Sequence, residues 1–110
     1  MTFLEPWEAL NSSQATVFVR EIETEVAPEH PLHRIAFRAI ARSRGADDVL
    51  VEMDDGRVVA VHLTWSSARE RPPYPIHRMY DTLDHWVQQV MLPSTQASRA
   101  NAEAVHDLTQ

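Results

Sequence analysis

Cysteine and lysine are both missing from this 110-residue chain, and glycine occurs only at Gly45 and Gly56. Without cysteine there is no thiol nucleophile, no disulfide and no thiolate-held zinc or iron–sulfur centre. Without lysine there is no Schiff-base chemistry, no anchor for pyridoxal phosphate and no Walker loop for a nucleotide. Two isolated glycines cannot build the G-x-G-x-x-G turn of a dinucleotide site. Long hydrophobic runs are missing too. The longest purely aliphatic stretch is Val58–Val61, whereas a membrane span needs ~20 apolar residues. Met1–Pro6 has neither the basic nor the apolar region of a secretory leader, so a cytoplasmic location is expected. No cofactor is expected from this inventory.

What is present fits one globular domain: 44% hydrophobic and 24% charged residues at a length typical of single domains. Acidic residues outnumber basic ones 16 to 10, for a net charge of -6. Nucleic-acid binding draws on clustered positive charge, so this balance argues against it. Arg34, Arg38, Arg42 and Arg44 nevertheless form a local basic strip.

Periodicity supplies the elements. Glu5–Leu10 reads as a helical turn with Pro6 at its first position. Asn11, Ser12 and Ser13 offer capping side chains before a helix whose apolar stripe is Ala15, Phe18, Val19, Ile22 and Val26. Pro28 ends it by forcing Ala27 out of the helical region. Arg34–Ser43 fits a helix or a strand. The segment after it favours the strand, because Val49–Met53, Asp54-Asp55-Gly56 and Arg57–Trp65 make a hairpin and a third strand would stabilise it.

A type I turn with Gly56 in a left-handed bulge pairs Val51 with Val59 and Val49 with Val61. It gathers Val49, Val51, Val59, Val61, Leu63 and Trp65 on one face. Extending the register puts Arg42 beside Asp48, Ile40 beside Leu50 and Arg38 beside Glu52. Ser66–Arg78, with Pro72, Pro73 and Pro75, reads as an extended, exposed connection. Asp81 is expected to cap a second helix with the stripe Tyr80, Leu83, Trp86, Val87, Val90 and Met91. Pro93 is expected to stop that helix.

The candidate chemistry is sparse. His30 and His33 invite a metal hypothesis, but H-x-x-H lacks the spacing of a zincin pair, and a site needs three or four ligands. The derived register sets Arg42, Asp48 and His62 in a row. Asp48 could orient His62 as a general base while Arg42 holds an anion. Thr64 or Ser66 would supply a hydroxyl. The competing account is a solvated ion-pair row, common on antiparallel sheets. Trp65 and Trp86 fall on predicted core faces, and Tyr74 in the proline-rich loop is an exposed aromatic anchor.

Between His30 and Ser66 the pattern His30-Pro31-Leu32, Asp47-Asp48-Val49-Leu50, Asp55-Gly56 and Val61-His62-Leu63-Thr64-Trp65-Ser66 resembles small uncharacterised bacterial cytosolic proteins. Tyr80-Asp81-Thr82-Leu83 and Trp86 extend the likeness, which covers roughly residues 7 to 92. It implies an α-β-β-β-α domain and no transferable activity.

The expected fold is therefore α+β: a three-stranded antiparallel meander with N- and C-terminal helices packed on one face. Residues 1–93 would form the domain, and 94–110 a polar tail with a weak docked helix. The opposite face would present Arg38, Ile40, Arg42, Leu50, Glu52 and His62, with Tyr74 nearby, to another protein or a second copy. Val105 and Leu108 of the tail are the alternative cover for it. A non-catalytic interaction protein of the inhibitor, immunity or accessory kind leads. The alternatives are a small hydrolase built on His62 and Asp48, and an anion or small-ligand binder using Arg38 and Arg42.

Overall fold

The computed structural model describes residues 2–108, with side chains described as far as Ala100. Five strands form one antiparallel sheet in chain order: β1 (Trp7–Ala9), β2 (Phe37–Ser43), β3 (Asp48–Met53), β4 (Val58–His62) and β5 (Ile76–Tyr80). Helix α1 (Ser12–Glu25) lies between β1 and β2 in sequence. After β5 the chain continues through α2 (Leu83–Trp86), a π-helical segment (Val87–Met91) and α3 (Leu92–Leu108). The class is α+β as expected, with two strands more than the three expected from periodicity.

The central hairpin has the bulged register. Val51 pairs with Val59, Val49 with Val61 and Asp48 with His62, and Gly56 has φ +91°. A side chain there would be strained, which is why glycine occupies the bulge. Helix α1 also begins as its sequence dictates. Asn11 Oδ1 accepts from the Gln14 amide at 2.8 Å, and Gln14 Oε1 accepts from the Asn11 amide at 3.0 Å. This reciprocal box satisfies two amides that a helix start otherwise leaves open.

Four expectations are corrected. Glu5–Leu10 is not a helical turn: Trp7–Ala9 is a strand paired with Ala41–Ser43. The connection Ser66–Arg78 is not wholly loop, because β5 begins at Ile76 and pairs along β4. Thr82, not Asp81, caps the second helix, its hydroxyl accepting from the His85 amide at 3.0 Å. Pro93 does not stop the helical arm. The preceding segment is wound as a π-helix, a local widening with a longer hydrogen-bond step, and the arm continues through Pro93 because such a widened turn accommodates a residue with no N–H to donate.

The fifth correction governs the site. The helices lie on opposite faces of the sheet, not on one. Phe18, Ile22 and Val26 of α1 pack with Val49, Val51, Val59, Val61 and Leu63. Trp86 and Met91 of the C-terminal arm pack on the other face with Trp7, Ala41, Leu50, Val58 and Tyr80. The physical reason lies in the strands, which alternate apolar with apolar and so need cover on both sides. Leu50 and Trp86 are completely buried. The face proposed from sequence for docking is therefore a second core. The side chains of Val105 and Leu108 lie outside the described residues; the cover seen comes from Trp86 and Met91.

Candidate functional site

A β-bulge rearranges the residues singled out from sequence. The β2–β3 ladder runs Phe37–Met53, Arg38–Glu52 and Ala39–Val51 as predicted, then slips so that Ala41 meets Leu50 and Arg42 meets Val49. One extra residue in a strand turns every later side chain to the other face. Ala41 thereby enters the second core, and Arg42 moves to the α1 side. Its guanidinium sits 5.8 Å from the Phe18 ring centre and 3.5 Å from Glu8. The expected row Arg42, Asp48, His62 is broken at its first member. Arg38 is held by the Glu52 carboxylate, so both arginines of the anion-binding alternative already have carboxylate partners.

The other two members of the row meet. His62 Nδ1 lies 2.8 Å from Asp48 Oδ1, with both side chains substantially exposed. With Nδ1–H donating to the carboxylate, Nε2 is left as the acceptor, the arrangement a general base requires. They border a shallow concavity of ≈ 200 Å³, to which Trp7, Ala60, Ile76 and Arg78 also contribute. Register explains Arg78: it pairs with Ala60, and Ile76 with His62, so Arg78 is the diagonal neighbour of His62 on the same face. Arg78 thus brings a guanidinium to the β5 side of His62, at the other end of the row from the β2 position expected for Arg42. Its guanidinium lies 5.5 Å from the Tyr80 ring centre.

Neither hydroxyl expected from sequence completes a catalytic group there. Thr64 Oγ1 donates to Glu70 Oε1 at 2.9 Å and Ser66 Oγ donates to the Ala68 carbonyl at 3.1 Å. Both are committed to the loop after β4. His30 is committed as well. Buried at 4% exposure, its Nε2–H donates to the Pro75 carbonyl at 2.8 Å while Nδ1 accepts from the Leu32 amide at 3.1 Å. Both ring nitrogens are used, so His30 acts as a clamp between two loops. His33 is only half-buried. Among the described residues no three histidine, aspartate or glutamate side chains converge as metal ligands. The His77 ring packs at a tilt against His30, with ring centres 4.7 Å apart. Burial, with the nearby His30 adding to it, holds the His77 pKa below the usual histidine value, against a hydrogen bond with Pro75.

Sequence reasoning missed the most heavily used acids. Glu25 is fully buried; its carboxylate accepts the Thr64 and Trp65 amides at 3.0 and 2.9 Å. Glu21, one turn earlier, accepts the Ser67 amide at 3.0 Å. Trp65 and Ser67 have φ +57° and +55°, a left-handed conformation that side chains disfavour, held here by these carboxylates. Trp65 is consequently not a core residue. It is 40% exposed and packs edge-on to Phe18 at 5.3 Å. Burial raises the Glu25 pKa, and Glu21 adds to the rise, while the Thr64 and Trp65 hydrogen bonds oppose it. The signal was present in the i, i+4 spacing of Glu21 and Glu25 alongside Phe18 and Ile22 on the inner helix face.

Among the described residues, exposed large apolar side chains occur singly at Val17, Ile35 and Trp65 and as a group of three in and beside β5. Tyr74, Ile76 and Met79 are 50%, 45% and 38% exposed. Among the described residues no strand lies beyond β5, and none of the helices is long and apolar enough to cross a membrane. Comparison with protein-family models, curated proteins and solved structures found no match.

Proposed function

We propose that the chain is a small non-catalytic protein-interaction module of the inhibitor, immunity or accessory kind, and that it binds through the β5 edge. One observation carries this reading: an open edge strand presents Ile76 and Met79 beside Tyr74 instead of the charges that protect most edges. Exposed edges invite strand addition, and natural proteins normally blunt them with charge, shortness or cover. Arg78 is the only arginine, aspartate or glutamate on β5. Recognition by strand addition draws affinity from backbone hydrogen bonds and specificity from alternate side chains. The enzymatic alternative retains the His62–Asp48 pair but loses the two hydroxyls expected to serve it, since Thr64 and Ser66 are engaged elsewhere. Site-specific photocrosslinking tests the proposal. A photoreactive side chain at Met79 should give a discrete protein adduct in host cells, whereas one at Val17, exposed on α1, should not. Equal or absent labelling at the two positions would reject the β5 edge as the binding surface.

A further inference from the structure

We infer that the partner of the β5 edge is a second copy of this chain, joined in one defined antiparallel register with Met79 on the two-fold axis. The inference rests on the preceding reading of β5 as the binding edge and adds the identity of the occupant.

Hydrogen-bond parity fixes which groups point outward. The Leu63 amide donates to the Asp47 carbonyl and the Met53 amide to the Arg57 carbonyl, so odd-numbered β4 residues bond toward β3. Even-numbered ones therefore bond toward β5, where Val58, Ala60 and His62 pair with Tyr80, Arg78 and Ile76. The outward backbone groups of β5 are those of His77 and Met79. A two-fold axis perpendicular to the sheet keeps each face on its own side, so residues that meet across it must share parity.

Only a few registers satisfy that condition, and charge separates them. Centring on Arg78 sets two guanidiniums directly opposite each other, which is destabilising. Centring on His77 sets two histidines opposite and leaves Arg78 against Ile76. Centring on Met79 sets Met79 against Met79 and Arg78 against Tyr80. It also brings His77 against Asp81, which directly follows the strand and is exposed. The contacts are then apolar at Met79, guanidinium to aromatic ring at Arg78–Tyr80 and imidazole N–H to carboxylate at His77–Asp81; the Arg57 guanidinium, 3.2 Å from Met79 Sδ, is neutralised by Asp55. Among the described residues neither Arg78 nor Asp81 forms an ion pair within its own chain. No acid lies within Ile76–Tyr80, so the net charge of -6 is carried away from the axis. The join would make one continuous ten-stranded sheet, five strands from each copy, and place the second copy beside the concavity that holds Asp48, His62 and Arg78.

Self-opposition at residue 79 gives a test that depends on register. Wild-type protein should sediment as a dimer, twice 12.6 kDa, at tens of micromolar. Met79→Lys and Met79→Glu should each sediment as monomers with unchanged circular dichroism, because like charges then meet at the axis. Mixing the two variants should restore the dimer. The absence of cysteine allows a second readout. Hydrogen-bonded antiparallel partners have Cα atoms about 5.5 Å apart, within disulfide range, so Met79→Cys should oxidise to a covalent dimer and Arg78→Cys should not. A wild-type dimer that survives in Met79→Lys, or an Arg78→Cys chain that crosslinks as readily as Met79→Cys, would overturn the register. A monomeric wild type with a photocrosslinked adduct of foreign mass at residue 79 would overturn self-pairing while leaving the β5 edge as a binding surface. No adduct at all would end both.

Discussion

The two edges of the sheet are built by opposite rules. β1 is three residues long, and its central Glu8 is flanked by Arg42 at 3.5 Å and Arg44 at 3.4 Å. Trp7 is buried there against Trp86, with ring centres 4.9 Å apart at 86°. That edge is short, charged and pinned, three of the devices that discourage strand addition. β5 is five residues long, follows Pro75 and has Ile76 and Met79 exposed. The contrast teaches that edge exposure in this fold is selective: one end is closed by packing while the other is left open. Binding is therefore sought at β5, and stability at β1 and the arm that covers it.

The largest way to break the contrast is to remove the pin. Trp86→Ala deletes a completely buried indole, and large-to-small changes of this kind cost ~3–5 kcal/mol. Urea denaturation should show that loss, and because Trp7 packs edge-to-face against the missing ring, hydrogen exchange should speed up at β1 before it does at β5. A loss below ~1 kcal/mol would mean that the arm is not the cover of the second core. Leu50→Asp, which the face expected from sequence would tolerate, should unfold the chain for the same reason.

These two outcomes bear on what was legible in the sequence. The α1 face was legible because its signals are local: Asn11 as cap, the Phe18–Ile22 stripe and Gly56 at the bulge all report their own geometry. The other face was not, because its cover depends on which side of the sheet the arm takes after Tyr80. The apolar stripe around Trp86 fits either side. The bulge at Ile40 was hidden as well, since it needs no glycine, and it alone moved Arg42 away from Asp48. β5 was masked by Pro72, Pro73 and Pro75, which read as loop although the strand begins directly after the last of them. The Asp48–His62 pair survived because the hairpin register that places it was fixed by Gly56.

A second, smaller effect separates the loop that leads to the open edge from the edge itself. Glu25→Ala leaves the Thr64 and Trp65 amides without their acceptor, at a cost of ~1–3 kcal/mol for buried unpaired groups. The pH profile should carry the same group. Its folded pKa is raised, so the folded state holds the proton more tightly than the unfolded chain. Its contribution is complete below the ordinary glutamate value and is lost as pH rises through the raised one. Glu25→Gln should flatten that part of the stability–pH curve. A curve identical to wild type would assign the slope to another group.

On β5 itself the slope has the opposite sign. The His77 pKa is lowered, first by burial and then by His30. Below the ordinary histidine value of ~6.5, the unfolded chain binds the proton more readily than the folded one. Stability from this group is complete above that pH and is lost as pH falls through the lowered value. Measured at submicromolar chain, where copies are apart, the urea midpoint should drop between pH 7.5 and 5.5, and His77→Phe should shrink the drop. An unchanged drop would remove His77 as its source.

The smallest effect is expected at the closed edge. Glu8→Gln removes the carboxylate that faces Arg42 and Arg44, all of them partly exposed. Ion pairs of this kind contribute ~0–1 kcal/mol, because solvent screens them and long side chains lose freedom in forming them. Denaturation should therefore barely move. Association is the sharper readout, since Glu8 is the charge at the centre of β1. If charge rather than shortness closes that edge, Glu8→Gln in a Met79→Lys background should permit new dimers through β1. If the three-residue length and the Trp7 anchor close it, the double variant should remain monomeric in sedimentation. The second outcome is expected, because a strand with a single central residue offers too few outward backbone groups to hold another chain.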